Sequence, residues 1–427
     1  MFPGSQVAIL AERSWQRAYH VGMKEKDTTA KHDVLIVGGG LVGASLAIAL
    51  DGLPLDVALV EATPGGELPA VFDQRNLSLA AASVNALQAL GVMAELQAPG
   101  GPIRRIHVSR AGDFGRVHLQ ASDYGREAFG QVVVARDFGA ALEARLAQLP
   151  RLTRYRPARF VALDDDGTGA ARGLRLATPE GELQLRARLV AAADGTRSAL
   201  RDALGIASSG HDYGQTLFVA RMRAERVPDG TAFERFTGHG PTALLPRGDR
   251  AWGVVHGVAT DQAPAVAALD EAGWLARIQR VFGWRVGRFL GAGERSAYPI
   301  ASVLAQALVA PRAVLLGNAA QTIHPIGAQG FNLGLRDALT LAELLRAHAA
   351  DPGDAALLEH HARRRREDRE QTLAFSDGLA RMTANPSPLL RPLRSLGLLA
   401  ADRGGWLQAR LVGGAMGFRG DVPELCR

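Results

Sequence analysis

The sequence Asp33-Val34-Leu35-Ile36-Val37-Gly38-Gly39-Gly40-Leu41-Val42-Gly43-Ala44 decides the fold class of this chain. A short apolar run rich in β-branched residues meets a glycine cluster, and an Ala-rich apolar helix pattern follows. The glycines at 38, 40 and 43 occupy the first, third and sixth places of G-x-G-x-x-G. In this motif the first glycine takes the turn, the second lets a pyrophosphate approach the backbone, and the third lets helix and strand pack closely. We therefore predict a strand-turn-helix unit that binds a dinucleotide, in preference to a glycine-rich turn without a ligand.

An acidic residue follows at the distance that such a motif requires. Glu61 ends a second predicted strand, Leu55 to Val60, and lies 18 residues after Gly43. A carboxylate about 20 residues beyond the glycines is expected to bind the adenosine ribose. At this point NAD and FAD are equally consistent with the pattern.

Composition limits the class of protein. The chain has 427 residues, of which 47% are hydrophobic, enough for two or three packed units. Its formal charge is +6, but basic and aromatic residues do not interleave, so we expect no nucleic-acid partner. The single cysteine, Cys426, excludes an intramolecular disulfide and a cysteine-ligated metal, and a reducing cytoplasmic setting is the expectation. No metal site is predicted, and no apolar run reaches the roughly 18 residues of a membrane span.

Two later stretches have the same strand-turn-helix character. Leu189 to Ser198 carries an Asp194-Gly195 turn, which is either a simple turn or a second ligand-binding corner. Ala313 to Ala320 reads as a buried strand, and a loop from His324 to Gly330 leads into a predicted helix, 331–347. Backbone N–H donors and a helix dipole at such a loop suit a developing negative charge, like that of the pyrimidine edge of reduced flavin. A loop without a ligand is the alternative.

The segments between these corners have mixed character. Residues 103–120 show the alternation of a hairpin, and residues 211–258 are strand-like, which predicts a β-rich unit open to a substrate. Asn76 or Ser78 is a candidate cap for a helix predicted over 80–90. Arg75, just before it, is either a phosphate or ribose contact or an ordinary surface arginine. A helix is predicted over 271–282, and the chain is expected to be helical from about residue 354.

Taken together, the three corners resemble the FAD-dependent aromatic monooxygenases of the para-hydroxybenzoate hydroxylase superfamily. Within it, further stretches resemble the ubiquinone-biosynthesis branch, most of all its hydroxylases of 2-polyprenyl-6-methoxyphenol. These stretches are Asp73-Gln74-Arg75, Ile106-His107-Val108-Ser109, Phe233-Glu234-Arg235-Phe236-Thr237, Ala243-Leu244-Leu245-Pro246, Gly317-Asn318-Ala319-Ala320-Gln321-Thr322 and Gln329-Gly330-Phe331-Asn332-Leu333-Gly334.

The resemblance implies an α/β (α+β) fold: a Rossmann-like FAD-binding domain of the glutathione-reductase type, an inserted β-rich substrate domain and a C-terminal helical region. The expected division is an N-terminal extension over 1–31, disordered or preceding the true start; an FAD-binding domain; a β-rich substrate domain; and a helical region over 351–427. The FAD-binding domain would comprise 32–102, 125–205 and 300–350, and the substrate domain 103–124 and 206–299.

The resemblance also implies where FAD binds. Two groups of residues would take part, one at the ADP half and one at the ribityl chain and ring. The first group is Gly38, Gly40, Gly43, Glu61, Arg75, Arg136, Asp194 and Gly195. The second group is Asn318, Pro325, Gly330, Phe331 and Asn332, the last three through their backbone near the pyrimidine edge of the flavin.

Two positions depart from the superfamily pattern. Asn318 stands where most members have Asp, and Gln321 where many have His. An Asn carbonyl still accepts a hydrogen bond, but without charge assistance, a loss of roughly 1 kcal/mol. The loop also reads Gly327-Ala328 where the family usually has Ala-Gly. If Gly327 has taken over the strained backbone position, we expect the loop to point at the flavin as in the family. If Gly327 has not, we do not expect the loop to keep that orientation.

The implied reaction is hydroxylation of a polyprenylated phenol by dioxygen, through a flavin C4a-hydroperoxide, with NADPH or NADH as reductant. The phenol-deprotonating group is unassigned; His107, His256 and His324 are candidates by residue type alone. Two alternatives stay open: a sister hydroxylase acting at another ring position, and a flavin-bearing scaffold subunit without turnover. Expected partners are the phenol, O2 and other ubiquinone-biosynthesis proteins. An arginine-bearing amphipathic tail, 389–418, either contacts the inner face of the membrane or packs on the body.

Overall fold

The computed structural model describes residues 30–165, 167–238, 240–384, 402 and 405–427. The predicted N-terminal extension lies outside these residues except for Ala30 and Lys31. The strands are β1 (Ala30–Val37), β2 (Val57–Val60), β3 (Asn76–Ala80), β4 (Gly101–Pro102), β5 (Arg105–Arg110), β6 (Arg116–Gln120), β7 (Gly130–Val134), β8 (Thr153–Tyr155), β9 (Arg159–Leu163), β10 (Arg172–Thr178), β11 (Gly181–Ala192), β12 (Ser208–Ala224), β13 (Thr231–Phe236), β14 (Pro241–Pro246), β15 (Trp252–Ala259), β16 (Phe289–Ala305), β17 (Val309–Ala310), β18 (Ala313–Leu315) and β19 (Gln321–Thr322). The α-helices are α1 (Leu41–Ala49), α2 (Ala81–Ala89), α3 (Ala135–Ala147), α4 (Ala199–Ala203), α5 (Ala263–Ala267), α6 (Glu271–Phe282), α7 (Gln329–Ala347), α8 (Ala355–Ala384) and α9 (Gly405–Ala415).

A largely parallel sheet forms the centre of the first unit. Its order is β17-β18-β11-β1-β2-β8, with β10 and β9 continuing from β11. Strand β1 pairs in parallel with β11 and β2, and its apolar run is buried on both faces. Val34 and Ile36 pack with helices α1, α3 and α7, whereas Leu35 packs against residues of β9 and β10. Burial on both faces explains why this strand is continuously apolar.

A second sheet forms the β-rich unit. Its order is β19-β16-β12-β15-β14-β13-β5-β6, and its pairs are antiparallel except for β13 with β5. Helix α6 covers one face, with Trp274 and Ile278 packed against Phe218. This helix spans the predicted range, and its N-cap Asp270 accepts a hydrogen bond from the Gly273 backbone. The mixed α/β fold class is thereby confirmed; the domain boundaries stay a prediction.

One local prediction is wrong. Asn76 and Ser78 do not cap a helix, because both belong to β3, which pairs antiparallel with β7. The helix begins at Ala81, one residue after the predicted start, and its N-cap Ala80 offers no side-chain acceptor. Pairing with a distant strand supplies the backbone hydrogen bonds that a local cap would have supplied.

The C-terminal region packs helices onto the first unit. Part of the predicted amphipathic tail, 385–401 and 403–404, lies outside the described residues. From Gly405 onward the chain packs on the body, because Val412 and Met416 are buried against Ala81 and Ile103. Within the described ranges, no helix is both long enough and apolar enough to cross a membrane.

Candidate active site

The three corners singled out in the sequence meet at one edge of the parallel sheet. Strands β18, β11 and β1 lie side by side, so their carboxyl ends open at the same place. A methyl group added to Gly38 would lie 2.4 Å from the Ala193 carbonyl oxygen, and one added to Gly317 would lie 2.7 Å from the Val42 side chain. The first corner therefore touches both others, and ligands of open α/β sheets bind at such a crevice.

The glycine motif has the geometry of an anion site. Gly38 has a φ of +105°, which favours glycine, and a methyl on Gly43 would lie 1.9 Å from the Gly38 oxygen. Gly40 differs, since a methyl there would meet only Val71, at 3.7 Å. Among the described residues, no side chain caps α1 at its Gly40 N-cap, which leaves the first-turn N–H groups without a side-chain acceptor there. These features fit the pyrophosphate of FAD.

Glu61 lies where a ribose-binding carboxylate is needed. Its Oε2 accepts a hydrogen bond from the Gly39 N–H at 2.8 Å, and its Oε1 accepts one from the Thr63 N–H at 2.7 Å. These bonds fix the carboxylate beside the glycine turn. Each oxygen retains capacity for another donor, so ribose hydroxyls can be accommodated.

The second corner is held by its own side chains. Asp194 Oδ1 accepts from the Ser198 hydroxyl at 2.5 Å, and Oδ2 accepts from the Leu200 N–H at 3.1 Å. Burial raises the pKa of the Asp194 carboxyl above its usual value. Gly195 takes a φ of +87°. Asp194 thus anchors α4, and its predicted place beside the pyrophosphate stays a prediction.

The third corner explains one departure from the superfamily pattern. Gln321 Nε2 donates to Asp337 Oδ2 at 2.7 Å, and Gln321 Oε1 accepts from Arg369 Nε at 2.9 Å. The amide therefore bridges an acid on α7 to an arginine on α8. Asn318 lies exposed on the adjoining short turn, with its side chain available to a ligand.

The loop before α7 carries two left-handed residues. Gly327 has a φ of +75°, and Ala328, the N-cap of α7, has φ +52° and ψ +37°. Gly327 thus takes one left-handed position without steric cost, whereas Ala328 takes another at a cost of roughly 1–2 kcal/mol. Pro325 is exposed and Gly330 is half-buried beside this loop.

Asn332 fastens the same loop from inside the molecule. Its Nδ2 donates to the carbonyls of Ala328 at 2.7 Å and Ser78 at 2.9 Å, and its Oδ1 accepts from the Ala80 N–H at 2.8 Å. The side chain is buried and uses three of its hydrogen-bonding positions. Phe331 next to it makes an edge contact with Phe138, with ring centres 5.5 Å apart.

Arg75 joins a cluster that the sequence did not predict. It contacts both carboxylate oxygens of Asp73, and its guanidinium lies 4.4 Å over the ring of Tyr298. The Tyr298 hydroxyl donates to Asp73 Oδ2 at 2.5 Å. Burial alone would raise the pKa of Asp73, but hydrogen bonds from Arg75 and Tyr298 lower it. Arg136 is exposed on α3, and its backbone N–H donates to the Asp73 carbonyl, so both predicted arginines lie beside Asp73.

The β-rich sheet turns one face toward the first unit, which carries the three corners and is called the flavin-binding unit from here on. Tyr298 of this face reaches Asp73, and Ala232 and Ile106 pack with Ala81 of the first unit. In the middle of the face, paired residues form a row across seven strands. In strand order the row is Ser296, Val219, Val255, Ala243, Glu234, Val108 and Val117. Apart from a serine at one end and Glu234, the row is apolar.

Two of the three histidine candidates, His107 and His256, lie on the other face of the second sheet. His256 accepts from Arg277 Nε at 2.9 Å, so its other nitrogen carries the proton and donates to the Thr242 hydroxyl at 2.8 Å. It contacts Trp274 of α6, as His107 contacts Phe233, so both lie on the helix-covered face. Burial lowers the pKa of His107 to about 4, as it does that of His324.

A family model described as an FAD binding domain matches residues 31–376. "Ubiquinone hydroxylase UbiL" of Rhodospirillum rubrum is 36% identical over 396 residues, covering 92% of this chain and 91% of that protein. The "3-demethoxyubiquinol 3-hydroxylase" of Escherichia coli is 31% identical and is covered completely, over 92% of this chain. Human "Ubiquinone biosynthesis monooxygenase COQ6, mitochondrial" is 25% identical, with 91% and 92% coverage.

Solved structures share the fold. The p-nitrophenol 4-monooxygenase PnpA of Pseudomonas putida superposes with a TM-score of 0.75 at 19% identity, over 92% of this chain and 99% of that one. PqsL of Pseudomonas aeruginosa, solved in complex with 2-aminobenzoylacetate, gives a TM-score of 0.72 at 23% identity, over 86% and 99%. At these identities the likeness concerns the fold alone.

Proposed function

This chain belongs to the FAD-dependent aromatic monooxygenases of the para-hydroxybenzoate hydroxylase type, in their ubiquinone-biosynthesis branch, and we propose that it hydroxylates 2-polyprenyl-6-methoxyphenol to the 1,4-benzoquinol. The relatives named as ubiquinone hydroxylases support the pathway. NADPH or NADH is the proposed reductant, and O2 the co-substrate.

The observation that carries the choice of substrate is the composition of the inner sheet face. The row from Ser296 to Val117 contains five apolar residues and no cationic one. A carboxylated ring would leave its charge unpaired against this row, which is costly in a buried site. A neutral phenol with apolar substituents meets no such penalty. The face therefore supports a phenol that carries no carboxylate.

The chain's own residues would bind and orient the reactants. When bound, FAD supplies the redox chemistry, taking electrons from the nicotinamide and delivering one oxygen atom of O2 to the ring. The first turn of α1 and Glu61 would hold its ADP half. Backbone N–H groups at Gly330 to Asn332 would stabilise negative charge at the pyrimidine edge. The apolar row would exclude water and position the phenol.

A sister activity at another ring position is the second candidate, since one relative is named as a 3-demethoxyubiquinol 3-hydroxylase. Quinone intermediates extracted from cells lacking the protein distinguish the two. Accumulation of 2-polyprenyl-6-methoxyphenol is the expected result. Accumulation of a later, demethoxylated quinol would instead assign the sister reaction.

We place the protein in the cytoplasm at the inner face of the membrane, because a polyprenyl phenol is nearly insoluble in water. Sedimentation of the FAD-loaded protein with liposomes containing the phenol tests this. Liposomes with the substrate should retain more protein than liposomes without it. Equal retention by both would refute a substrate-directed contact.

A further inference from the structure

Glu234 is the one charged side chain in the apolar row that faces the flavin-binding unit. Its pairing partners are Val108 on β5 and Ala243 on β14. Its chain neighbours Phe233 and Arg235 point to the opposite face, because successive strand residues alternate. Phe233 indeed packs in the cluster around α6. The strand therefore directs this carboxyl group, and not its neighbours, into the space between the two units.

The surroundings of Glu234 differ from those of a structural carboxylate. The side chain is half-buried, because protein surrounds it while part of its surface stays accessible. Among the residues that the structure describes, none forms a hydrogen bond or ion pair with its carboxyl group, and burial raises its pKa to about 7. A structural carboxyl at this depth would be paired.

Charged groups on the same face are engaged elsewhere. Arg110 on β5 lies 3.9 Å from Asp113, and Arg221 on β12 lies 2.7 Å from Asp249. From the flavin-binding unit, the charged Asp73–Arg75 pair satisfies itself with Tyr298. The described residues of β14, β15 and β16 on this face add no cation near the row's centre. Glu234 is thus left to interact with a ligand.

We propose that Glu234 is the catalytic residue that accepts the proton of the substrate's phenolic hydroxyl. The O–H bond breaks, the proton passes to the carboxylate, and the electron pair stays on the phenol oxygen, which activates the ring carbon for oxygen transfer. This inference rests on the proposed function. Glu234 takes the role for which the three histidines were candidates, and two of those histidines lie on the other face of the sheet.

The test compares Glu234→Gln with wild type as FAD-loaded enzyme on a short-chain 2-prenyl-6-methoxyphenol. Glutamine keeps the shape but cannot accept the proton, so we expect kcat about 10²–10³-fold lower with KM nearly unchanged. The rise of kcat/KM with pH near 7 should vanish in the variant, and a fluorinated, more acidic phenol should recover much of the rate. Glu225→Gln, which changes an exposed carboxyl just beyond the end of β12 in the same sheet, is the matched control and should behave as wild type.

Turnover of Glu234→Gln within threefold of wild type, or an unchanged pH profile, overturns the proposal. If Glu234→Gln fails to retain FAD, Glu234→Asp is measured, and it should keep the pH dependence with a reduced rate. Loss of FAD in both variants would make Glu234 structural and overturn the proposal.

A binding readout separates this proposal from the proposed function. 4-Methoxyphenol, whose hydroxyl stays protonated in this range because its pKa lies near that of the tyrosine side chain, about 10, is titrated onto oxidised holoprotein across pH 5.5–8.5. Its affinity should change near pH 7 in wild type and not in Glu234→Gln, whatever the natural phenol is. An absent inflection in wild type overturns the role of Glu234, whereas inactivity of wild type on polyprenyl phenols refutes only the proposed substrate.

Discussion

Replacing Gly40 by alanine separates ligand binding from folding within the glycine motif. Gly40 has a φ of −70°, which alanine adopts without strain, and the added methyl would meet only Val71 at 3.7 Å. The free energy of unfolding of the apoprotein should therefore change by less than about 0.5 kcal/mol. The cost should appear only when FAD binds.

The size of that cost follows from the space in front of α1. A methyl carbon requires about 3.5–4 Å from a phosphate oxygen, so the pyrophosphate would be displaced by roughly 1 Å from the first-turn N–H groups. Each hydrogen bond to a charged group contributes about 1.5–3 kcal/mol. Losing two of them predicts a dissociation constant for FAD raised by about 10²–10⁴-fold.

The assay is fluorescence titration of apoprotein with FAD, alongside urea unfolding. Gly43→Ala is the control, because its methyl would lie 1.9 Å from the Gly38 oxygen and should lower both stability and affinity. Gly40→Ala that binds FAD within threefold of wild type would refute the placement of the pyrophosphate. Gly43→Ala as stable as wild type would refute the packing argument.

Two further predictions concern the buried charges behind the site. The Asp368 carboxylate accepts hydrogen bonds from Arg336 at 2.6 Å and from Arg365 at 2.5 Å, so Asp368→Asn should lower the free energy of unfolding, measured in urea, by about 3–5 kcal/mol. The exposed control Glu367→Gln should change it by less than about 0.5 kcal/mol. A loss below about 1 kcal/mol for Asp368→Asn would contradict the prediction. Burial lowers the pKa of His361 to about 4, below its ordinary 6.5, so the unfolded chain takes up a proton at a higher pH than the folded protein does. The free energy of unfolding should therefore fall by on the order of 3 kcal/mol as the pH drops from 6.5 toward 4. His361→Leu should flatten that part of the stability profile, and superimposable profiles would refute the assignment.

Local patterns in the sequence were sufficient to predict the flavin-binding half of the fold. The apolar run before Gly38 and the glycine spacing are properties of neighbouring residues, and so is the N-cap of α6. The sequence separates Gly38 from Asn318 by some 280 positions, yet both corners end parallel strands of one sheet. Ligands of open parallel sheets bind at the carboxyl ends of the strands. The two corners can therefore be predicted to lie close together even when the pairing register of the strands is unknown.

The substrate half depends on pairings between distant segments. Glu234 lies in the motif Phe233 to Thr237. The sheet face on which its side chain lies is set by the parallel pairing of β13 with β5, more than 120 residues earlier in the chain. The alternation of Ala232, Glu234 and Phe236 with Phe233 and Arg235 was a usable signal. It could not say which face meets the flavin-binding unit, because both faces carry an aromatic residue.

One wrong local prediction and one unfavourable backbone conformation have the same origin. Asn76 looked like a helix cap because its side chain suits that role, but β7 supplies the hydrogen bonds instead. Ala328 adopts a left-handed conformation that alanine disfavours, since Asn332 holds its carbonyl from inside the core. Tertiary contacts override local preference at both places.

Isotope incorporation tests the central claim most directly. FAD-loaded protein is supplied with NADPH, 2-polyprenyl-6-methoxyphenol and ¹⁸O₂, and the product is analysed by mass spectrometry. The account predicts one ¹⁸O atom in the new ring hydroxyl of the 1,4-benzoquinol. Unlabelled product, or flavin-loaded protein that forms no hydroxylated product from any polyprenyl phenol of the pathway, would contradict it and favour a scaffold role.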